Sequence, residues 1–575
     1  MSPFLRAQAV LATDRTIAWA VFCFLLAAYL ATFSGLPENP DAEVEFQTTS
    51  ALVRRQSFAL GGTPEAEAIV SIAHQGRQGF NVRRGGPGRE QEAFSWSGIG
   101  QALVAFPFYV AGSFVGRIFP AVEERHRATT ELGIARSEYF EHLLVGLRNP
   151  LLGALTGALI VLAARRSGAR RLHALLCGLS YGLLTFAWPQ ARGTLSDVQA
   201  TAFLFLAFVL AQGALERMER GRNPRLRTLA GFGAALGLAF LTRPVLAPAV
   251  AVLVLFFVLR VLQEARSGGR GLPLGALATG LAPALACLAL FLWTNHARFG
   301  DPLETGYGGV VGLDWFLRAP WQGLLGVTLS PGSGLLYLAP GLLLVVPWFA
   351  HALRRGELAV PLLVAGLVLA IGLPHVLIPS WHGAWSYGPR YVLPLIPFLW
   401  FPLGITLGLA WERTSSRLAA GVLLVAGGGA ALGGVLVEYT TNLDLTLQAA
   451  PLAWPAPEGA LPVDPEARAE AEAVLDDQRF VASKFDWRFA APWAHWRILR
   501  HRVAGLGESF PVRELYYLES DARVSPRWER ARGFRHLAWV DLAQRLDGPT
   551  WIGPALVVAL LALGLGLLQR AQESA

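Results

Sequence analysis

Long uncharged apolar runs, separated by arginine clusters or by polar segments rich in Gly and Pro, occupy most of the chain. A bilayer core about 30 Å thick takes roughly 20 residues of helix, so these runs predict membrane spans. The first, Ile17 to Leu36, follows Arg6 and Arg15 and lacks a persuasive A-x-A cleavage site, so it reads as a span and not as a signal peptide. Later runs are divided alternately by arginine-rich loops (Arg165 to Arg171, Arg217 to Arg227, Arg266 to Arg270, Arg354 to Arg355, Arg413 to Arg417) and by loops with fewer arginines. Because cytoplasmic loops hold the excess of basic residues, the alternation fixes the sides. The run from Gly98 to Phe119 breaks the pattern: as a span it would put the Arg165 to Arg171 cluster outside. It is therefore expected to be an amphipathic helix on the outer surface.

Twelve spans follow, near residues 17–36, 140–164, 172–190, 197–215, 228–242, 245–262, 272–294, 333–350, 358–378, 391–410, 418–437 and 551–569, with both termini cytoplasmic. The fold expected is an all-α polytopic membrane protein. Its parts are a transmembrane module over 1–437, whose first outer loop is 37–137, an outer domain of α or α+β type over 438–550, and a last span with its tail over 551–575. Composition agrees: 53% of the 575 residues are hydrophobic and 16% charged, against roughly 25% charged in an ordinary soluble domain. That excludes a soluble enzyme or a disordered scaffold. The net charge of +8 comes almost wholly from arginine, Lys484 being the only lysine, and the arginines lie in short loops between apolar runs. Such a distribution argues against nucleic acid as a partner. Cys23, Cys177 and Cys287 lie in apolar runs without metal-ligand spacing and read as packing residues.

Candidate chemistry gathers on the outer side. After the first span, Asn39 and Pro40 open a helix reaching about Arg55, as cap and first-turn residue. Asp41 and Glu43 sit at its positive end, and Glu45 shares a face with Asp41. Acids here serve equally as ordinary capping chemistry. Asp197, in the short turn that also holds Arg192, reads either as a further acid of the same pocket or as a helix start. Arg243 follows the cytoplasmic Arg227 by only 16 residues, a rise of roughly 24 Å. An arginine below the outer surface faces a lined cavity and a partner; phosphate or a carboxylate both qualify. The motif from Ser380 to Pro394 combines His382, Trp385, Tyr387, Arg390 and Tyr391 with Gly383, Gly388 and Pro389, ingredients of a sugar pocket as well as of an interfacial aromatic belt. Glu141 and Arg148, seven apart, read as a structural ion pair.

The acidic helix start, the outer helix with Gly-Ile-Gly-Gln-Ala-Leu-Val-Ala-Phe-Pro-Phe-Tyr (98–109) and the Thr242-Arg-Pro turn resemble the GT-C membrane glycosyltransferases. The stretches Arg298-Phe-Gly-Asp-Pro-Leu-Glu-Thr-Gly-Tyr, ending at Tyr307, and Trp385-Ser-Tyr-Gly-Pro-Arg-Tyr are similar to those of bacterial members related to protein O-mannosyltransferases and lipid A aminoarabinose transferases. The resemblance implies transfer of a sugar from a polyprenyl-phosphate donor to a glycan, lipid or protein acceptor, with inversion, at the periplasmic face of the inner membrane. It places Asp41, Glu43 and Asp197 among the catalytic acids, with Asp41 and Asp197 as ligands if a divalent cation, Mg or Mn, takes part. Arg243 and Arg390 fall where basic residues meet the carrier phosphate, and Tyr391, Arg192, His382, Trp385, Tyr387 and Tyr307 complete the expected substrate contacts. Asp-Ala-Glu departs from the adjacent acids or Asp-x-Asp of the family, which leaves base and metal ligand unassigned between them. A transporter, or a catalytically silent assembly factor that binds polyprenyl lipid, are the rival classes.

Overall fold

The computed structural model describes residues 3–573 apart from 36, 38, 75–80, 132–133, 269–272, 307–319, 379, 384, 456–461, 463 and 528–536. Within these residues the chain is an all-α polytopic membrane protein, its sheet confined to three two-stranded antiparallel ribbons. Helix dominates because hydrocarbon offers backbone groups no water, so each segment must satisfy its own hydrogen bonds.

Among the described residues nine helices are long and apolar enough to cross a membrane, and a tenth results if Arg390–Trp400 and Leu403–Ala410, bent by 51°, form one span. This is fewer than the twelve expected, for local reasons. The run near 172–190 divides into Arg171–Leu183 and Ala187–Arg192. At the break between them Thr185 donates its hydroxyl to the Tyr181 carbonyl (2.7 Å) and accepts from the Ala187 amide (3.1 Å). The run near 333–350 is cut at Pro340, which has no amide to extend Leu335–Leu338. Leu226–Thr242 is apolar but has only 17 residues.

The outer-loop helix Gly100–Ile118 is apolar enough to count among the nine, but its packing shows how it lies. At its start the Gly100 Cα approaches the Thr242 backbone so closely that a Cβ would lie 2.4 Å from the Thr242 nitrogen. Twelve residues on, about 18 Å along the axis, a Cβ on Gly112 would lie 2.5 Å from the Glu141 Cα. Thr242 ends one long helix and Glu141 lies near the start of another, Tyr139–Arg166. Gly100–Ile118 therefore runs across the same-side ends of two helices, and Pro40–Arg55 packs against it through Phe46 and Tyr109. This crossing lays the two helices over the ends of the bundle helices.

The C-terminal region contributes helices Tyr439–Ala453, Pro465–Phe485 and Ala491–Val503; the first and third share a core of Leu445, Phe489, Ile498 and Tyr516. It is seated on the membrane part by hydrogen bonds: His495 Nδ1 to the Gly433 carbonyl (3.0 Å), and the Gly332 amide to the Lys484 carbonyl (2.9 Å). Helix Ala538–Arg545 returns to the first span, where the Ala538 amide donates to the Phe33 carbonyl (2.9 Å).

Since the Gly112 contact is with backbone and cannot rotate away, Gly112→Leu is expected to cost roughly 1–3 kcal/mol through overpacking. Thermal unfolding in detergent reads it as a lowered midpoint. Gly421→Ala, where a Cβ meets nothing within 4 Å, is expected to bring no loss.

Candidate active site

Asn39 caps helix Pro40–Arg55 with its side-chain oxygen, which accepts from the Ala42 amide at 2.9 Å, and Pro40 sits in the first turn. The cap fixes where the helix begins and so points Asp41 toward Arg390, whose Nη2 donates to Asp41 Oδ2 at 2.7 Å. Arg390 is delivered by a tight turn at Gly388, whose φ of +77° only glycine adopts cheaply. A second couple lies alongside. Arg243 precedes Pro244, which forces it out of the helical region (φ −139°, ψ 93°) and turns it off the end of Leu226–Thr242. There it forms an ion pair with Asp197, in the first turn of helix Ser196–Glu219.

Tyr391 joins the two couples. Its ring lies 5.1 Å from the Arg243 guanidinium and 5.0 Å from that of Arg390, and stacks on His375 at 5.3 Å. Guanidinium over an aromatic face is favourable, more so when desolvated. Arg390 and Asp197 are buried, with side chains 5% and 0% exposed, whereas Asp41 and Arg243 retain 21% and 17%. The wall within reach of a ligand thus carries one carboxylate and one guanidinium.

Beneath Asp41, one turn further along its helix, lies Glu45, which the sequence showed only as sharing its face. Ser196 donates to Glu45 Oε1 at 2.7 Å. Arg148 reaches the same loop and donates from Nη2 to the Thr194 carbonyl at 2.7 Å. The remaining atoms Glu45 Oε2, Asp197 Oδ2 and Arg148 Nη1 are buried without a hydrogen-bond partner. Burial pushes the Glu45 carboxyl up to about 7; Ser196 and Arg148 oppose the rise, and Asp197 and Asp41 add to it. The expected ion pair of Arg148 with Glu141 is absent: Glu141 accepts from Ser113 (2.9 Å), and Arg148 turns to the loop before Asp197. Seven residues put them nearly on one helical face, but each found a closer partner on another element.

Glu43 is not part of the Asp41 cluster. Two residues along a helix it points to the other side, where it accepts from Gln47 (2.8 Å) and faces His142 Nε2 (3.3 Å). Burial raises the Glu43 carboxyl, but His142, Arg136 and Gln47 outweigh it and hold the group at about 2. Arg192 is tied to Glu438 and to the Thr32 carbonyl (2.8 Å). Tyr387 is buried and donates to the Ala430 carbonyl at 2.6 Å. His382 packs on Phe480 at 4.7 Å, and burial, with Lys484 and Arg390 nearby, pushes it down to about 3. Arg192, Trp385 and Tyr387 line a small neighbouring cavity with Asn39, Thr194 and Tyr439. Tyr307 lies outside the described residues. No group of three or more His, Cys, Asp or Glu side chains among the described residues has a metal-holding arrangement. Asp41 and Asp197 each face a guanidinium, so a divalent cation held by these two carboxylates would have to displace an arginine from each.

Residues 129–289 match the family of dolichyl-phosphate-mannose-protein mannosyltransferases, less than a third of the chain. Among solved structures the chain is similar to ArnT from Cupriavidus metallidurans bound to undecaprenyl phosphate, at 14% identity over 95% of this chain and 76% of that one (TM-score 0.37). The apo state of that protein gives 15%, 94%, 75% and 0.39. Archaeal oligosaccharyltransferase AglB from Archaeoglobus fulgidus, in complex with an inhibitory peptide and a dolichol-phosphate, gives 11%, 82%, 60% and 0.38. No curated protein matches the chain significantly. At such scores the site has to be read from this chain's own geometry.

Because Asp197 is wholly buried, Arg243→Ala leaves an unpaired charge and is expected to cost about 3–5 kcal/mol. Adding Asp197→Asn to the same variant is expected to restore most of the loss, measured by thermal unfolding in detergent.

Proposed function

We propose that the chain is a glycosyltransferase that moves a sugar, hexose or pentose, from a polyprenyl-phosphate donor to a hydroxyl-bearing acceptor. In this reading the site faces the periplasm, the termini are cytoplasmic, and the membrane is the inner one. The observation that carries it is the pairing of two carboxylates with two arginines across one tyrosine ring, with Asp41 and Arg243 still reachable. The local match to the mannosyltransferase family supports it, as do the helices long and apolar enough to cross a membrane, where a lipid-borne substrate resides.

Departure of a polyprenyl phosphate breaks the bond from the anomeric carbon to phosphate oxygen and leaves the electron pair on that oxygen. Guanidinium groups at Arg243 and Arg390 stabilise this charge more in the transition state than before it. Arg390, buried behind Asp41, meets the phosphate only as Nη2 leaves Asp41, so donor binding releases Asp41 Oδ2 from its partner. The freed carboxylate then takes the acceptor's proton as the hydroxyl attacks from the opposite face, which inverts the configuration. Glu43 serves the fold through His142 in this scheme, and Asp197 acts by positioning Arg243. No step in this scheme passes through a metal.

Asp41→Asn is expected to lower transfer by about 10²–10⁴-fold while the purified protein still binds carrier lipid. Mass detection of carrier phosphate released from a panel of polyprenyl-phosphate sugars measures it; full activity in that variant sinks the assignment. Transfer is expected to persist undiminished in excess chelator, and a loss restored by added Mg or Mn would return the acids to metal binding.

A further inference from the structure

Three arginines surround the candidate site, and only two have a carboxylate. Arg243 holds Asp197 and Arg390 holds Asp41, each as a closed pair. Arg148 is 1% exposed, bonds a carbonyl and the Asn149 side chain, and has no carboxylate within ion-pair distance among the described residues. Its natural counter-charge would be Glu45, which faces it from the outer helix. Yet Glu45 takes its hydrogen bond from the Ser196 hydroxyl and keeps Oε2 without a partner. The charged groups around Glu45 are Asp41 on its own helix, Arg148 on the second span and Asp197 on the helix of Ser196. Two of those three are negative. A buried carboxyl without a cation on it, beside two carboxylates, is more stable with its proton.

We infer that Glu45 is a neutral carboxylic acid in the resting site, and that its neutrality makes Arg148 a surplus cation that sets the pocket's charge to match one phosphodiester. The inference rests on the donor reading above. The balance then closes at both ends of the reaction. Before transfer, three guanidiniums against Asp41 and Asp197 leave one positive charge, which meets the single negative charge of a sugar phosphodiester. After transfer the acceptor's proton on Asp41 leaves two positive charges, which meet the doubly charged phosphate monoester. An ionised Glu45 would remove the surplus and make the donor complex net negative.

The burial that holds the Glu45 carboxyl at about 7 puts its switch inside an accessible pH range. The test uses the full chain in lipid nanodiscs and undecaprenyl phosphate methyl ester, a diester whose charge does not change between pH 6 and 8, with neutral undecaprenol as control. Only the protonated form binding well, affinity for the diester is expected to fall about ten-fold from pH 6 to pH 8. Undecaprenol is expected to show no such fall. Glu45→Gln, which mimics the neutral acid, is expected to keep the strong pH 6 affinity throughout. Ser196→Ala removes the hydroxyl that favours the carboxylate and moves the midpoint to higher pH. Arg148→Gln weakens the diester roughly ten-fold at pH 6 and leaves undecaprenol alone. A wild-type affinity flat with pH, or a Glu45→Gln variant with the same fall, overturns the inference while the donor reading stands; no diester binding at any pH removes both. Unfolding without any lipid gives an independent reading. A folded carboxyl raised from about 4.5 to about 7 adds stability that is complete below 4.5 and lost as pH rises through 7. Glu45→Gln is expected to abolish that loss, and an unchanged pH dependence in the variant counts against a protonated Glu45.

Discussion

Buried charge is costly unless compensated locally, and the two ion pairs of the candidate site are organised by that constraint, Arg148 alone standing beside them without a carboxylate among the described residues. An isolated guanidinium or carboxylate in such a place costs several kcal/mol, whereas a couple that also rests on an aromatic face is tolerated. Asp41 with Arg390 and Asp197 with Arg243 meet the condition together, because Tyr391 lies against both cations. Four elements from distant parts of the chain are thereby tied at one point: the first outer helix, the start of one span, the end of another and the turn after Gly388. A phosphate entering there would find cations held in position by partners that it is able to displace.

The surrounding architecture serves to bring backbones close enough for those ties. Gly100 and Gly112 let the outer helix lie directly on the ends of two helices, where any side chain would intrude on main-chain atoms. Pro244 turns Arg243 off its helix axis, and Asn39 starts the outer helix at the register that directs Asp41 to Arg390 and Glu43 to His142. Helix capping and turn chemistry, worth about 1 kcal/mol each, thus decide which acid belongs to the cluster.

Several of these features were legible in the order of residues. The Asn39 cap, the exposed acid after it, the depth of Arg243 and the glycine-proline turn before Arg390 each follow from local rules. Glu45 carried a weaker mark, its place one turn from Asp41, and Arg148 a misleading one, since its spacing to Glu141 suggested a pair. Arg192 and Tyr387, which the resemblance placed among the substrate contacts, line a cavity beside the site and are bound to Glu438 and to the Ala430 carbonyl. Apolar runs that hydropathy alone leaves whole are divided at Thr185 and at Pro340, so among the described residues fewer than twelve single helices are long enough to span.

Apolar length, arginine placement and end-of-helix chemistry by themselves determined a polytopic helical membrane protein with its polar groups gathered on one side. These are short-range properties, governed by how a helix sits in hydrocarbon and how its first turn is capped. Partnership was decided only by tertiary structure. Asp41 meets an arginine 349 residues away, and Glu45 and Arg148 approach one loop without pairing there. Whether a buried acid is charged depends on which cation the fold brings against it, and no spacing along the chain contains that distance.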